Sequence, residues 1–177
     1  MPRIALIPGD GIGAEVTAEA ARVLRRAAEV HGLSLELVEW DLGADLYLER
    51  GVALTDEEFR ALSEDHDAIL LGALGDPRVP GNEHAREILL GLRFRLDLYV
   101  NYRPCVLLDP AFCPLRDAAD RSIEIHIFRE NTEGLYVDMG GTFKRGTPDE
   151  VAIQESVNTR RGVERIVRAA FGFASER

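Results

Sequence analysis

The sequence predicts an α/β fold built on a parallel, layered sheet, and three observations carry that reading. Short continuous apolar runs at 4–7 and 68–72 suit strands covered on both faces. Neighbouring segments place apolar residues at helical spacing. Clusters of Gly, Pro and Asp punctuate the two kinds of segment. Strands that alternate with helices pair in parallel through right-handed crossovers.

Residues 4–7 end at Pro8-Gly9-Asp10-Gly11-Ile12-Gly13, and 14–30 then repeats Val16, Ala20, Val23, Leu24 and Ala27, which reads as strand, glycine turn and helix. Residues 34–40 alternate as a strand. Thr55-Asp56-Glu57-Glu58 opens a helix, with Thr55 as N-cap and Glu58 at the capping-box position. After the apolar run at 68–72 comes a breaker-rich loop at 75–82, and 83–95 resumes helical spacing. Near Asp97 the character changes. Residues 98–106 and 122–128 are strand-like, 135–143 resembles a hairpin closed at Gly140-Gly141, and 151–157 is a further strand candidate. Thr159 caps a last helix ending near Ala174. We expect two units, 1–98 and 99–177, with no flexible linker, internal repeat or low-complexity tract.

With 177 residues, 46% of them hydrophobic and 29% charged, the chain can build one full core or two incomplete ones. A net charge of -10 and a pI of about 4.9 argue against nucleic acid or an anionic membrane as the main partner, because either would repel it. A small polyanion could still meet a local arginine cluster. No stretch approaches the roughly 20 apolar residues of a membrane span, and 1–8 is too short an apolar run for a signal peptide, so a cytoplasmic protein is expected. Cys105 and Cys113 lack paired metal-ligand spacing and read as buried or free thiols. Lys144 is the only lysine beside twenty arginines.

Gly9-x-Gly11-x-Gly13 departs from the dinucleotide pattern G-x-G-x-x-G. Plain turn chemistry explains it, and a ligand at the following helix N-terminus stays open. Arg93, Arg103 and Arg129 are a sharper signal. Guanidinium groups grip carboxylates through paired hydrogen bonds, so three converging arginines suit a di- or tricarboxylate. Singly, each also reads as a surface or ion-pair arginine. Tyr136 follows Arg129 closely, and positive charge beside a phenol favours phenolate, which lets tyrosine act as a general acid. The plainer alternative is a packed tyrosine. His31, His66, His84 and His126 are scattered and read as structural or exposed, and Glu57-Glu58 and Glu64-Asp65 as solvated helix faces.

Four pieces of text occur together and in order. They are Ile7-Pro8-Gly9-Asp10-Gly11-Ile12-Gly13-x-Glu15; Leu71-Gly72-Ala73-x-Gly75; Leu92-Arg93 through Asp97-Leu98-Tyr99-x-Asn101-x-Arg103-Pro104; and Arg129-Glu130-Asn131-Thr132-Glu133-Gly134-Leu135-Tyr136. In that order they resemble the β-decarboxylating dehydrogenases, the family of isopropylmalate, isocitrate, homoisocitrate and tartrate dehydrogenases. The resemblance spans essentially the whole chain. It implies an isopropylmalate-dehydrogenase-like layered α/β sheet in the first half of a two-domain fold. Residues 1–98 would then be part of the larger, cofactor-side domain, and 99–177 the first part of a dimer-forming domain whose arm includes 135–143.

The resemblance also implies a reaction, the NAD-dependent oxidative decarboxylation of a malate-type 2-hydroxy acid. Arg93, Arg103 and Arg129 would hold the substrate carboxylates, and Tyr136 would protonate the enol carbon once carbon dioxide has left. Ile12, Ala73, Leu74 and Gly75 would lie against NAD, and Leu89 and Leu90 against the variable substituent and nicotinamide. Two leucines favour 3-isopropylmalate, and hence leucine biosynthesis, because they would serve a third carboxylate poorly. Tartrate and homoisocitrate stay as alternatives. Arg86 stands where an isopropylmalate enzyme usually has an acidic residue, 75–80 looks like the tartrate branch, and 93–103 has homoisocitrate character.

The family's second half supplies a catalytic lysine, the aspartates that hold Mg²⁺ or Mn²⁺, and an adenine loop, and none of that text occurs here. Lys144 lies too near Tyr136 to be that lysine. We therefore expect a half-enzyme that pairs with a second copy or a complementing chain, its 1–98 unit exposing a sheet edge and apolar helix faces. The alternative is an inactive fragment acting only through its oligomer interface.

Overall fold

Three consecutive side chains of strand β1 (Arg3–Gly9), Ala5, Leu6 and Ile7, are buried, as a strand covered on both faces requires. The computed structural model describes residues 1–116 and 122–177. In it β1 is the centre of a parallel three-stranded sheet, with β2 (Glu36–Glu39) on one side and β3 (Ala68–Ala73) on the other. Leu6 pairs with Glu39 and Leu70 across the two ladders. The chain divides into two compact units, Met1–Leu96 and Asp97–Arg177.

In the first unit, helix α1 (Ile12–Val30) packs on β1 and β3. Glycine allows the close approach, since a Cβ on Gly13 would land on the Pro8 carbonyl oxygen. Gly9 is needed for another reason. It sits at φ 75°, in the left-handed region, and a Cβ there would strike the Ala73 carbonyl oxygen. The odd glycine spacing thus has a local steric explanation.

The opposite face of the sheet carries the core, in which Ala5 and Ile7 pack with Leu42, Ala53, Leu62, Ile88 and Leu92. Helix α2 (Ala44–Arg50) is not anticipated by the sequence, because seven residues are too few to show a period. Helix α3 (Asp56–Glu64) begins with the expected capping box, in which the Glu58 amide donates to Thr55 Oγ1 and the Glu58 carboxylate accepts from the Thr55 amide. Glu58 is not merely a solvated face. It also accepts from Arg50 at 2.7 and 2.8 Å, and that pairing holds its carboxyl down to about 2. Helix α4 (Glu83–Arg95) completes the unit.

The second unit holds two antiparallel pairs, β4 (Val100–Val106) with β5 (Glu124–Glu130), and β6 (Gly140–Phe143) with β7 (Val151–Gln154). The expected hairpin closed at Gly140-Gly141 is corrected here, because both glycines lie inside β6 and Gly140 pairs with Gln154. Glycine stands at 140 because a Cβ would strike the Ile153 carbonyl. The turn falls later, where Lys144 and Gly146 take positive φ. Val157, expected in a strand, makes only a single bridge to Gly134.

Helix α5 (Arg160–Ser175) starts at Thr159, whose hydroxyl accepts from the Gly162 amide at 3.0 Å. It packs on β5 and places Phe173 against Tyr102, His126 and Phe128, with ring centroids 4.9–5.4 Å apart. Both cysteines are free, and Cys105 is exposed rather than buried. Among the described residues no helix is long and apolar enough to cross a membrane.

Candidate functional site

Antiparallel register sorts the side chains of β4 and β5. Arg129 pairs with Asn101 and Arg103 with Ile127, so Asn101, Arg103, Ile127 and Arg129 share one face of the ribbon. Tyr102, His126 and Phe128 lie on the other, under Phe173 of α5. The arginine face is therefore the open one, and Arg103 and Arg129 are both exposed.

Both guanidinium groups are aimed. Arg103 Nε donates to Asn101 Oδ1 at 2.8 Å, and the Asn101 amide donates to Asn131 Oδ1 at 3.2 Å. Asn131 is buried and its main-chain N–H donates to the Tyr99 carbonyl, so the chain of bonds ends on a fixed residue. Arg129 Nη2 donates to the Tyr136 hydroxyl at 2.5 Å, and its guanidinium carbon lies 5.1 Å from the ring centroid. Tyr136 stands in a short 3-10 turn, Leu135–Val137, entered through Gly134 at φ 76°. Gly134 is pinned by reciprocal backbone bonds with Val157.

The two glutamates of the Arg129–Tyr136 segment build the turn. Burial pushes the Glu130 carboxyl up, but bonds from Thr132, Arg165 and the Glu133 amide outweigh it and leave it below the ordinary range. Glu133 accepts from the Thr159 amide at 2.7 Å and the Thr159 hydroxyl at 2.5 Å, tying the turn to the N-terminus of α5. Sequence reading missed both roles, since Arg165, which pairs with Glu130, and Thr159, which donates to Glu133, lie far along the chain.

On α4, His84, Ile88 and Leu92 form the buried stripe. Arg86, Leu89, Leu90 and Arg93 fall at i, i+3, i+4 and i+7 on the outward stripe. Arg86 and Leu89 are exposed, and Leu90 and Arg93 are half-buried. The apolar wall and the first arginine thus share one helix face in the first unit, while Arg103, Arg129 and Tyr136 belong to the second.

The expected cofactor contacts lie at the carboxyl ends of β1 and β3, the place where open parallel sheets take ligands. Ile12 is apolar yet 64% exposed, and the turn Ala73, Leu74, Gly75 is joined to the β1 loop by the Asp10 amide, 2.6 Å from the Ala73 carbonyl. Glu15 in the first turn of α1 sets a negative charge at the helix N-terminus, which disfavours a phosphate there. An exposed apolar side chain beside an open backbone turn fits a nucleotide ring better than a pyrophosphate. Asp10 and His84 join these loops; His84, read from sequence as structural or exposed, is buried and structural, while no role was given to Asp10. The only hint was an aspartate among the glycines. Among the described residues no group of three or more His, Cys, Asp or Glu could hold a metal. Lys144 pairs with Asp149 at 3.5 Å in an exposed turn.

Comparison with known proteins matches residues 3–177 to the family model described as isocitrate/isopropylmalate dehydrogenase. A 3-isopropylmalate dehydrogenase of Corynebacterium kroppenstedtii is 52% identical over 176 residues, covering 99% of this chain and 51% of that protein. One from Thermobifida fusca is 50% identical over 175 residues, covering 99% and 49%. The solved structure of isocitrate dehydrogenase from Methylococcus capsulatus superposes with a TM-score of 0.76 at 31% identity, covering 99% of this chain and 48% of that one. The chain spans about half the length of the curated relatives it matches. From its sequence and its fold alike, this chain belongs to the isocitrate/isopropylmalate dehydrogenase family.

Proposed function

We propose that this chain supplies the carboxylate clamp, the proton donor and part of the NAD contact for oxidative decarboxylation of a malate-type 2-hydroxy acid, with 3-isopropylmalate as the substrate. The observation that carries the reading is the Arg129–Tyr136 hydrogen bond on a strand face that also bears Arg103. Arginines aimed from neighbouring strands suit two substrate carboxylates. The family resemblance would add Arg93, carried by the first unit, as a third guanidinium.

Ile12, Ala73, Leu74 and Gly75 would hold NAD, which when bound would supply the hydride acceptor for the substrate's C2. Tyr136 keeps a proton at its hydroxyl oxygen and delivers it to the enol carbon after carbon dioxide departs. Arg129 then stabilises the phenolate that remains. Leu89 and Leu90 offer the apolar surface an isopropyl group needs. Mg²⁺ or Mn²⁺, whose ligands the family resemblance places outside this chain, would when bound polarise the new carbonyl.

Under this reading the first unit is the cofactor side and the second the dimer-forming side, in a cytoplasmic enzyme of leucine biosynthesis. The dimer partner is a second copy or a complementing chain. Exposed Phe143, Val151 and Ile153 on β6 and β7 support an arm that pairs with it. A second reading, tartrate or homoisocitrate as substrate, is favoured by Arg86, which shares the stripe of Leu89 and Leu90 and could meet a further polar group.

The test supplies the purified protein with Mn²⁺, NAD and each of 3-isopropylmalate, tartrate and homoisocitrate, following NADH absorbance beside calorimetric binding of each ligand. The highest kcat/KM, or the tightest binding, with 3-isopropylmalate supports the reading. Preference for tartrate or homoisocitrate overturns the substrate, and binding of none overturns the clamp.

A further inference from the structure

The two turns assigned to NAD are joined by a buried acid that the proposed reaction does not use. The Asp10 side chain is 7% exposed and that of His84 fully buried. Asp10 Oδ1 accepts from the Ala44 amide at 2.6 Å, and Oδ2 accepts from the Gly75 amide at 2.8 Å and from His84 Nε2 at 2.7 Å. One carboxylate is thus bonded to the start of α2, the turn after β3 and the first turn of α4, while its own backbone belongs to the loop that presents Ile12.

We propose that Asp10, backed by His84, is a positioning residue for the dinucleotide, holding the Gly75 turn in register with Ile12. This rests on the NAD assignment of those residues and names what aligns them. Gly75 adopts φ 156°, a backbone conformation that favours glycine, and its amide is held by the bond it donates to Asp10. A buried carboxylate survives only when its acceptor sites are filled, and here three donors fill them. Burial pushes its acidity down, but the bonds from Ala44, His84 and Gly75 outweigh that and keep it ionised below the ordinary range. Because the carboxylate accepts, His84 carries a proton on Nε2. Its Nδ1 is buried with no hydrogen-bond partner among the described residues, so the bond to Asp10 is the one polar contact this side chain makes.

The test measures the Kd for NAD and for 3-isopropylmalate by calorimetry in the full-length protein, with thermal midpoints and amide exchange at Gly75, for the parent, Asp10→Asn, His84→Leu and His84→Gln. Asp10→Asn sets an amide donor against backbone donors. We expect it to weaken NAD binding about tenfold, the scale of one charge-assisted hydrogen bond, while 3-isopropylmalate binding stays near parental. His84→Leu weakens NAD binding in the same direction, and His84→Gln, whose amide can still donate to Asp10, restores it. Exchange at Gly75 rises in parallel. If the parent does not bind NAD, the cofactor assignment itself fails. Parental NAD binding that neither Asp10→Asn nor His84→Leu changes, or an equal loss for both ligands, overturns the positioning role. Should Asp10→Asn not fold, the two His84 variants decide by the same readouts.

Discussion

The Arg129 guanidinium donates to the Tyr136 hydroxyl at 2.5 Å and reaches it across one turn of chain. That bond places positive charge where a phenolate would form. Tyr136→Phe is expected to lower decarboxylation by roughly 10²–10⁴-fold, the usual contribution of a positioned general acid, while the Kd for substrate changes little. Steady-state rates beside calorimetric binding check it, and an equal loss in both would assign Tyr136 to binding alone.

Arg103 is steered by Asn101 and, through it, by buried Asn131. Arg103→Lys keeps the charge but loses the fork and the bond to Asn101, so substrate binding should weaken by about 1.5–3 kcal/mol, the range for hydrogen bonds to charged groups. Asn101→Ala should give a smaller loss of the same kind. Titration of substrate into each variant provides the comparison, and unchanged affinity for Arg103→Lys would remove it from the clamp.

Glu58 joins the α3 capping box to Arg50. Its Arg50 partner lowers the carboxyl from 4.5 to about 2, against the opposing pull of burial. The folded state therefore holds this proton less tightly than the unfolded chain does. The stabilisation is complete above pH 4.5 and is lost as pH falls toward 2. Glu58→Gln should flatten the acid limb of the stability curve in that window, and Thr55→Ala should cost about 1 kcal/mol at neutral pH. Denaturant unfolding across the pH series measures both.

Glu133 accepts two bonds from Thr159 at the start of α5, and a Cβ on Gly162 would collide with its carboxylate. Glu133→Ala removes a capping partner and a favourable charge at a helix N-terminus, a loss of about 1–2 kcal/mol. Faster amide exchange in the first turn of α5 would accompany it. Exchange confined to the Leu135–Val137 turn, with α5 unchanged, would contradict the assignment.

Much of this was legible before any coordinates. The apolar run at 4–7, the capping box at Thr55 and the cap at Thr159 are local facts, decided within a few residues, and each appears as read. The hairpin at Gly140-Gly141 misread its cause. Glycine there answers to the backbone of β7 pressing close, which no local rule contains. Helix α2 was silent because it is short and is anchored by Asp10, distant in sequence.

The sequence alone determined the family, because ordered motifs survive without coordinates, and it nominated Arg93, Arg103, Arg129 and Tyr136 from residue chemistry. Only tertiary structure decided how they are held. Strand register put Arg103 and Arg129 on one open face, and Asn131 and Asn101 aimed Arg103. Asp10 likewise became a junction of three loops through donors 34, 65 and 74 residues away. A hydrogen bond depends on distance and direction in space, and those are properties of the fold that a linear text of residues does not contain.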